Sequence, residues 1–347
     1  MVELARIEAA RVNLPSDLDE LNEFYYQQGW TDGLPIVPPT EERVSRMLEE
    51  AGREPDETLG FLPPGGNETT VGHVAINAVM AGCLPGCMPL LITVVEALLE
   101  ERFNLQWIQA TTHPAAPLVI VNGPVRERLG MNWGSGLFGP SNRANATIGR
   151  AVRLMLLNLG GARPGVLDLS THGQPSKYSF CIAENEAMNP WMPLHVERGF
   201  PSSSSTVTVC GMENPHNIND YKAENGIDLL TTIVGTIATQ GNNNILYQTG
   251  ETLLALSPEH ASILAGSGYS KQQVKEYLYE KARLPKSSFS KPHQREQFGR
   301  YAEVDDVRLA QSPDDFIVVV TGGPGRHSMY CPGFAMYTRS VTKEIPE

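Results

Sequence analysis

The sequence predicts an α/β protein in which a mixed, partly parallel sheet is covered by helices and preceded by a helical N-terminal region. Three observations carry that expectation. From residue 115 onward, short apolar runs rich in Val and Ile recur between Gly, Pro and Asn turns and alternate with longer stretches of helical spacing. Before residue 112 the spacing is helical and broken by Gly and Pro. With 41% hydrophobic and 19% charged residues in 347, the chain has the composition of an ordinary globular protein with a sizeable core.

Taken in order, helices are expected over 17–28 and 40–52, separated by the Trp30–Pro39 stretch, whose glycine and prolines exclude a helix. A second breaker, Phe61–Gly66, precedes helices over 68–81 and 89–101, which form a hairpin. These make up an N-terminal helical region, 1–112, and the remainder, 113–347, reads as one compact α/β unit. Its strands fall at 117–122, 178–183, 205–210, 252–256 and 315–320, and its helices at 142–159, 226–239, 258–266 and 271–283. Residues 285–300, rich in Lys, Arg, Pro and Ser, read as an exposed loop, and no internal repeat stands out.

Composition removes several classes of function. A formal charge of −12 without a basic cluster opposes nucleic-acid binding. The longest apolar stretch, Cys87–Leu99, is interrupted by Pro89 and Glu96 and is too short to span a bilayer. The first residues lack the apolar core of a signal peptide, and five cysteines without a CxxC pair read as reduced cytoplasmic thiols.

Four segments carry chemistry-bearing residues. In Gly82-Cys-Leu-Pro-Gly-Cys-Met-Pro89, Gly82 closes one helix and Pro89 opens the next, placing Cys87 near a helix N-terminus that favours thiolate. Cys83, across the turn, is spaced to share a disulfide or a metal ion with it; the alternative is two apolar fillers of a tight turn. Asn132–Thr147 combines three glycines with Asn142, Arg143 and Asn145 at a helix start. There Arg143 opposes the helix dipole unless an anion is bound. The third segment, Thr321–Ser328, can form an anion-binding nest from Gly322, Gly323 and Gly325, beside Arg326 and His327. In the fourth, Ser257-Pro-Glu-His260, Ser257 and Pro258 suit a helix start, leaving His260 as a candidate base. Were the strands parallel, their carboxyl ends would gather Asn122, Cys210, His216, Glu259, His260, Arg326 and His327 at one ligand-binding edge. GxSxG, HExxH and kinase signatures are absent.

Several of these segments also resemble a known family. They are Gly82-Cys83-x-Pro85, Phe138–Arg150, Lys177–Phe180, Pro258–His260 and Gly322–Ser328, across residues 70–340. In them the chain resembles a large bacterial family related to or associated with the UGSC, selenoprotein-type proteins. The resemblance implies a cytoplasmic α/β protein and, for proteins carrying the selenocysteine-Gly-Ser-Cys motif, thiol or selenol redox chemistry. Here Cys210-Gly-Met-Glu213 keeps Cys and Gly but lacks the second Cys, so that redox mechanism does not carry over.

The leading functional expectation is a small-molecule enzyme using Cys83 or Cys87 as nucleophile or redox group, with His260 or His327 as general base. An anionic substrate would be held by Asn142, Arg143, Asn145, the 322–325 glycines and Arg326. Two alternatives stand beside it: a hydrolase or lyase with Zn or Fe on Cys and His ligands, and a non-catalytic ligand-binding subunit of a partner enzyme. A thiol enzyme also implies a redox partner. The strongly apolar helices at 89–100 and 148–157 suggest a homo-oligomer.

Overall fold

The computed structural model describes residues 4–9, 11–14, 16–297 and 305–346. The N-terminal region contains α1 (Leu18–Gln27), α2 (Glu41–Glu49), the hairpin β1 (Thr58–Leu62) and β2 (Asn67–Thr70), α3 (Val71–Ala81), α4 (Met88–Leu98) and α5 (Leu105–Gln109). Next come β3 (Ala116–Asn122), α6 (Val125–Arg128), α7 (Arg143–Asn158), β4 (Cys181–Ala183), α8 (Leu194–Glu197), β5 (Thr206–Met212) and β6 (His216–Asn219). The rest runs α9 (Gly226–Ile237), α10 (Asn243–Tyr247), β7 (Thr252–Leu256), α11 (Pro258–Gly266), α12 (Lys271–Lys281), β8 (Arg283–Pro285), β9 (Asp306–Arg308), β10 (Phe316–Val320), β11 (His327–Cys331) and β12 (Val341–Glu344).

The α/β class and the mixture of parallel and antiparallel strands are as expected, but the strands form two four-stranded sheets rather than one. Sheet 1 has the order β12-β5-β3-β4 and sheet 2 the order β6-β11-β7-β10. In each, one pair is parallel (β3 with β4, β7 with β10) and the other neighbours are antiparallel. Alternate residues explain the stacking. Leu118 and Ile120 of β3 meet Leu253 and Ala255 of β7 and Ile317 and Val319 of β10 in a core between the sheets. Val119 and Val121 face an outer core with α3, α4 and α7, while Leu254, Val318 and Val320 face a second one with α9, α11 and α12. The order is helices, sheet, sheet, helices. Strands buried on both faces must be apolar at every position, which is why Leu-Val-Ile-Val and Phe-Ile-Val-Val-Val were visible in the sequence.

The polar strands were not visible. β6 (His-Asn-Ile-Asn) buries only Ile218, and β12 (Val-Thr-Lys-Glu) is half exposed. The Phe61–Gly66 breaker holds the end of β1 and the 63–66 turn of the β1–β2 hairpin, so the helix expected from 68 begins at Val71, capped by Thr70. Within the expected 285–300 loop, β8 ends at Pro285 and a short turn occupies Lys286–Ser288, while 298–300 lie outside the described residues.

The two sheets share one plan: a central strand with a parallel and an antiparallel neighbour, then a fourth strand beyond the latter. Along the chain, β3, β4, β5, β6 and β7, β10, β11, β12 would be the two sets of four. The fourth strands are exchanged: β6 pairs with β11 of sheet 2, and β12 pairs with β5 of sheet 1. This is a duplicated topology with crossed closing strands, which the sequence did not reveal as a repeat.

The helices at 89–100 and 148–157, whose apolar surface suggested association of chains, are covered within the chain. α4 buries Met88, Leu90–Val95, Ala97 and Leu98, and α7 buries ten of its sixteen residues, in the outer core of sheet 1. Their hydrophobicity therefore carries no argument for an oligomer.

At the end of β3, Gly123 has φ +84°, and a Cβ there would come within 2.1 Å of the Ser204 carbonyl oxygen. Gly123→Ala combines a left-handed backbone with a backbone clash and is expected to destabilise by about 2–5 kcal/mol. A lowered urea midpoint at unchanged slope is the expected reading. A wild-type midpoint would contradict this packing.

Candidate functional site

The loop between α6 and α7 is built by three asparagines. Asn142 caps α7, its side chain accepting from Asn145 N (3.0 Å) while its amide donates to the Gly130 carbonyl (2.9 Å). Asn145 is 4% exposed and spans the loop through the backbone of Asn132, at 2.9 Å and 2.8 Å. Asn132 in turn accepts from Gly134 N at 2.8 Å and donates to the Ser135 carbonyl at 2.9 Å. The two asparagines expected to bind substrate are thus engaged in shaping residues 130–140.

That loop lies against the corner joining β10 to β11. Gly322 N donates to the Trp133 carbonyl (2.9 Å), and a Cβ on Gly323 would sit 1.9 Å from Ser135 Oγ. Glycine at 323 admits the close approach of this loop. Gly325 N donates to Glu259 Oε1 (2.8 Å), so two of the three expected nest amides already have protein acceptors. Arg326 donates to the Tyr221 and Ala223 carbonyls at 3.0 and 3.1 Å, and Arg143 is exposed at the start of α7. Two of the amides expected to form an anion nest thus hold this corner to its neighbours.

Between loop and corner runs a groove of two adjoining lobes, about 540 and about 440 Å³, which share Leu137, Phe138, Gly139 and Met329. Asn145, Gly322, Gly323, Gly325 and His327 line it, while Arg143 and Arg326 do not. No Lys or Arg is among its lining residues. His327 is exposed there, its Nδ1 2.9 Å from Asn217 Oδ1 on β6 and its ring edge-on to Tyr221. An amide oxygen accepts, so Nδ1 carries the proton and Nε2 is the basic nitrogen. Asn217 and Tyr221 were not foreseen as functional, because β6 has no apolar signal and its pairing with β11 is long-range.

His260 sits one layer deeper, fully buried. Its Nε2 is 3.3 Å from the Asp220 carbonyl and its Nδ1 2.8 Å from Ser328 Oγ, so Nε2 donates and Nδ1 accepts the serine hydroxyl. Ser328 Oγ also accepts from Ser257 N (3.0 Å). Burial lowers the His260 pKa, against the opposing pull of Asp220.

The strand-end set separates in the same way. Glu259, His260, Arg326 and His327 gather at one end of sheet 2, His216 starts β6 opposite Tyr330, and Asn122 ends β3 in sheet 1. Cys210 lies within β5, which is antiparallel to β3, and its thiol is buried between the sheets. Burial pushes the Cys210 and Cys331 thiols up.

Cys83 and Cys87 are 8% and 3% exposed in the outer core of sheet 1 and line neither lobe. Gly82 closes α3 in the left-handed conformation and Cys87 caps α4, as the hairpin reading expected. The interaction with Cys87, then burial, raises the Cys83 pKa, and the same interaction lowers that of Cys87. Both are free thiols. Among the described residues no group of three or more His, Cys, Asp or Glu is placed to hold a metal ion, so the metal reading has no ligand set there. Nor is any helix of the described residues long and apolar enough to cross a membrane.

The fold and groove thus define an α/β protein with a small-molecule-sized recess. Comparison with family models, with curated proteins and with solved structures returns no match.

His260 gives a stability signature. Its folded pKa is lowered, so below the unfolded value of about 6.5 the unfolded chain binds the extra proton and stability falls as pH drops. The urea midpoint is expected to decline from pH 7 to about 5.5, and less steeply in His260→Gln. Equal slopes would remove His260 as the cause.

Proposed function

We propose that the protein is an enzyme acting on a small, largely uncharged molecule held in the groove, with His327 as general acid–base. The observation that carries this reading is the His327 imidazole: exposed in the groove, oriented through Nδ1 by Asn217, with Nε2 left basic. An orienting partner on one ring nitrogen and a free second nitrogen is what proton transfer requires. Phe138, Leu137 and Met329 supply the apolar contact, and the absence of Lys and Arg from the lining favours a neutral substrate over the anionic one. His327 would take a proton from water or from a carbon next to a carbonyl, which are the first steps of hydrolysis and elimination.

Hydrolysis of a small neutral ester, p-nitrophenyl acetate, serves as the probe. His327→Gln is expected to lower it about a hundredfold or more, to the solvent background, without changing the melting temperature, since the side chain is exposed. Asn217→Ala should lower kcat and shift the pH profile. Undiminished hydrolysis in His327→Gln would overturn the assignment.

A second reading, thiol chemistry at the α3–α4 hairpin, is favoured by the place of Cys87 at the start of α4, with Cys83, a second free thiol, across the turn. It requires iodoacetamide to label Cys87 in the folded protein faster than Cys210, and Cys87→Ser to abolish turnover at an unchanged melting temperature. Labelling of Cys87 no faster than Cys210 assigns the pair to packing.

A further inference from the structure

A separate cavity, about 620 Å³ and within the usual range for small-molecule sites, lies in the N-terminal region behind sheet 1. Its wall is an aromatic trio, Phe24, Tyr25 and Trp30, set mutually edge-on with centroids 5.9–6.0 Å apart and backed by Ile76 and Met80. Burial raises the Tyr25 pKa, keeping the phenol neutral. Among the described residues one cation on the lining, Arg163, forms no ion pair, although Glu8 and Glu41 also line the cavity. The Arg163 guanidinium lies against Gly29, within 2.6 Å of where a Cβ would stand, at the left-handed residue (φ +68°) that closes α1 next to Trp30. No carboxylate pairs with Arg163 among the described residues, whereas Arg11, the other arginine on the cavity, is paired with Glu41 at 3.2 Å. Of the remaining polar groups, His73 holds the Glu8 carbonyl through Nε2 (3.0 Å) and accepts from Thr70 N through Nδ1 (3.2 Å), so neither ring nitrogen is free.

The geometry points to a binding site for an aromatic carboxylate, its ring against Phe24, Tyr25 and Trp30 and its carboxylate on the Arg163 guanidinium. An aromatic body is favoured because edge-on rings offer both faces and edges to a further ring. A carboxylate matches the planar fork of an unpaired guanidinium. The site is independent of the groove and of His327.

The test uses 2-naphthoate and the neutral 2-naphthamide on the full chain, by calorimetry and by NMR of the Trp30 indole and His327 ring signals. Naphthoate is expected to bind and to shift Trp30 but not His327. Arg163→Met, a change at an exposed side chain, should weaken naphthoate about tenfold or more while leaving naphthamide within about twofold. No naphthoate binding at millimolar concentration, equal loss for both probes in Arg163→Met, or shifts at His327 without Trp30 would each overturn the site.

Discussion

The carboxylate of Glu184, fully buried at the end of β4, joins the two sheets. It accepts from Asn122 at the end of β3 (2.7 Å), from Leu194 N at the start of α8 (2.8 Å) and from Asn189 (2.8 Å), with Val320 N of β10 at 3.4 Å. Burial raises its pKa while Lys271 and these donors pull the other way. A buried carboxylate is tolerated only where donors surround it, so the four elements must arrive together or leave an uncompensated polar group. Beside it, Glu186 binds Arg126 (2.8 Å) and Gly123 N (2.8 Å), and Arg126 returns a bond to the Glu184 carbonyl (2.6 Å). This knot fixes how the carboxyl ends of both parallel pairs sit against each other. The groove corner follows from it, because Asn185, next in the chain, donates to the Val320 carbonyl (2.8 Å) and to the Gly322 carbonyl (3.2 Å).

Exchange of the closing strands adds a second coupling. β5 gains its outer neighbour only when β12 arrives from the far end of the chain, and β11 gains its outer neighbour from β6. A half assembled alone would leave an unpaired strand edge, a state that folding proteins avoid. Sheets that complete one another in this way form as one cooperative unit. The exchange also supplies the groove, since Asn217 belongs to β6 and His327 to β11.

Legibility in the sequence followed burial. Strands buried on both faces and helices with recognisable caps, such as Ser257-Pro258 or Asn142, were located to within a few residues because each carries its signal locally. β6, β11 and β12 escaped because their stability comes from partners far away in the chain, as His327 with Asn217 shows. The same limit governed the site. Glycines at 322, 323 and 325 read as an anion-binding nest, but whether such a turn faces a ligand or a loop depends on Ser135 and Glu259, whose approach is tertiary. Cys87 was rightly placed at a helix start, yet only packing shows that its thiol turns into the core toward Cys83.

Charge separates the two recesses. A chain of net charge −12 surrounds itself with a negative potential that disfavours anions at every unspecialised surface. The groove offers nothing against that field, since its lining has no Lys or Arg, which suits it to neutral molecules. An anion is held by such a protein only where a cation is set locally and left unpaired. Most arginines here are not in that state: Arg53, Arg126 and Arg150 are committed to Glu57 and Glu96, to Glu186 and to Asp32. Arg163 has no carboxylate partner among the described residues and stands on the wall of a cavity lined by aromatic rings. Its contact acts at hydrogen-bond range, whereas the opposing field of the whole chain acts over distances that salt screens. The short-range attraction therefore prevails at physiological ionic strength, and an aromatic wall beside the charge confers selectivity that charge alone lacks.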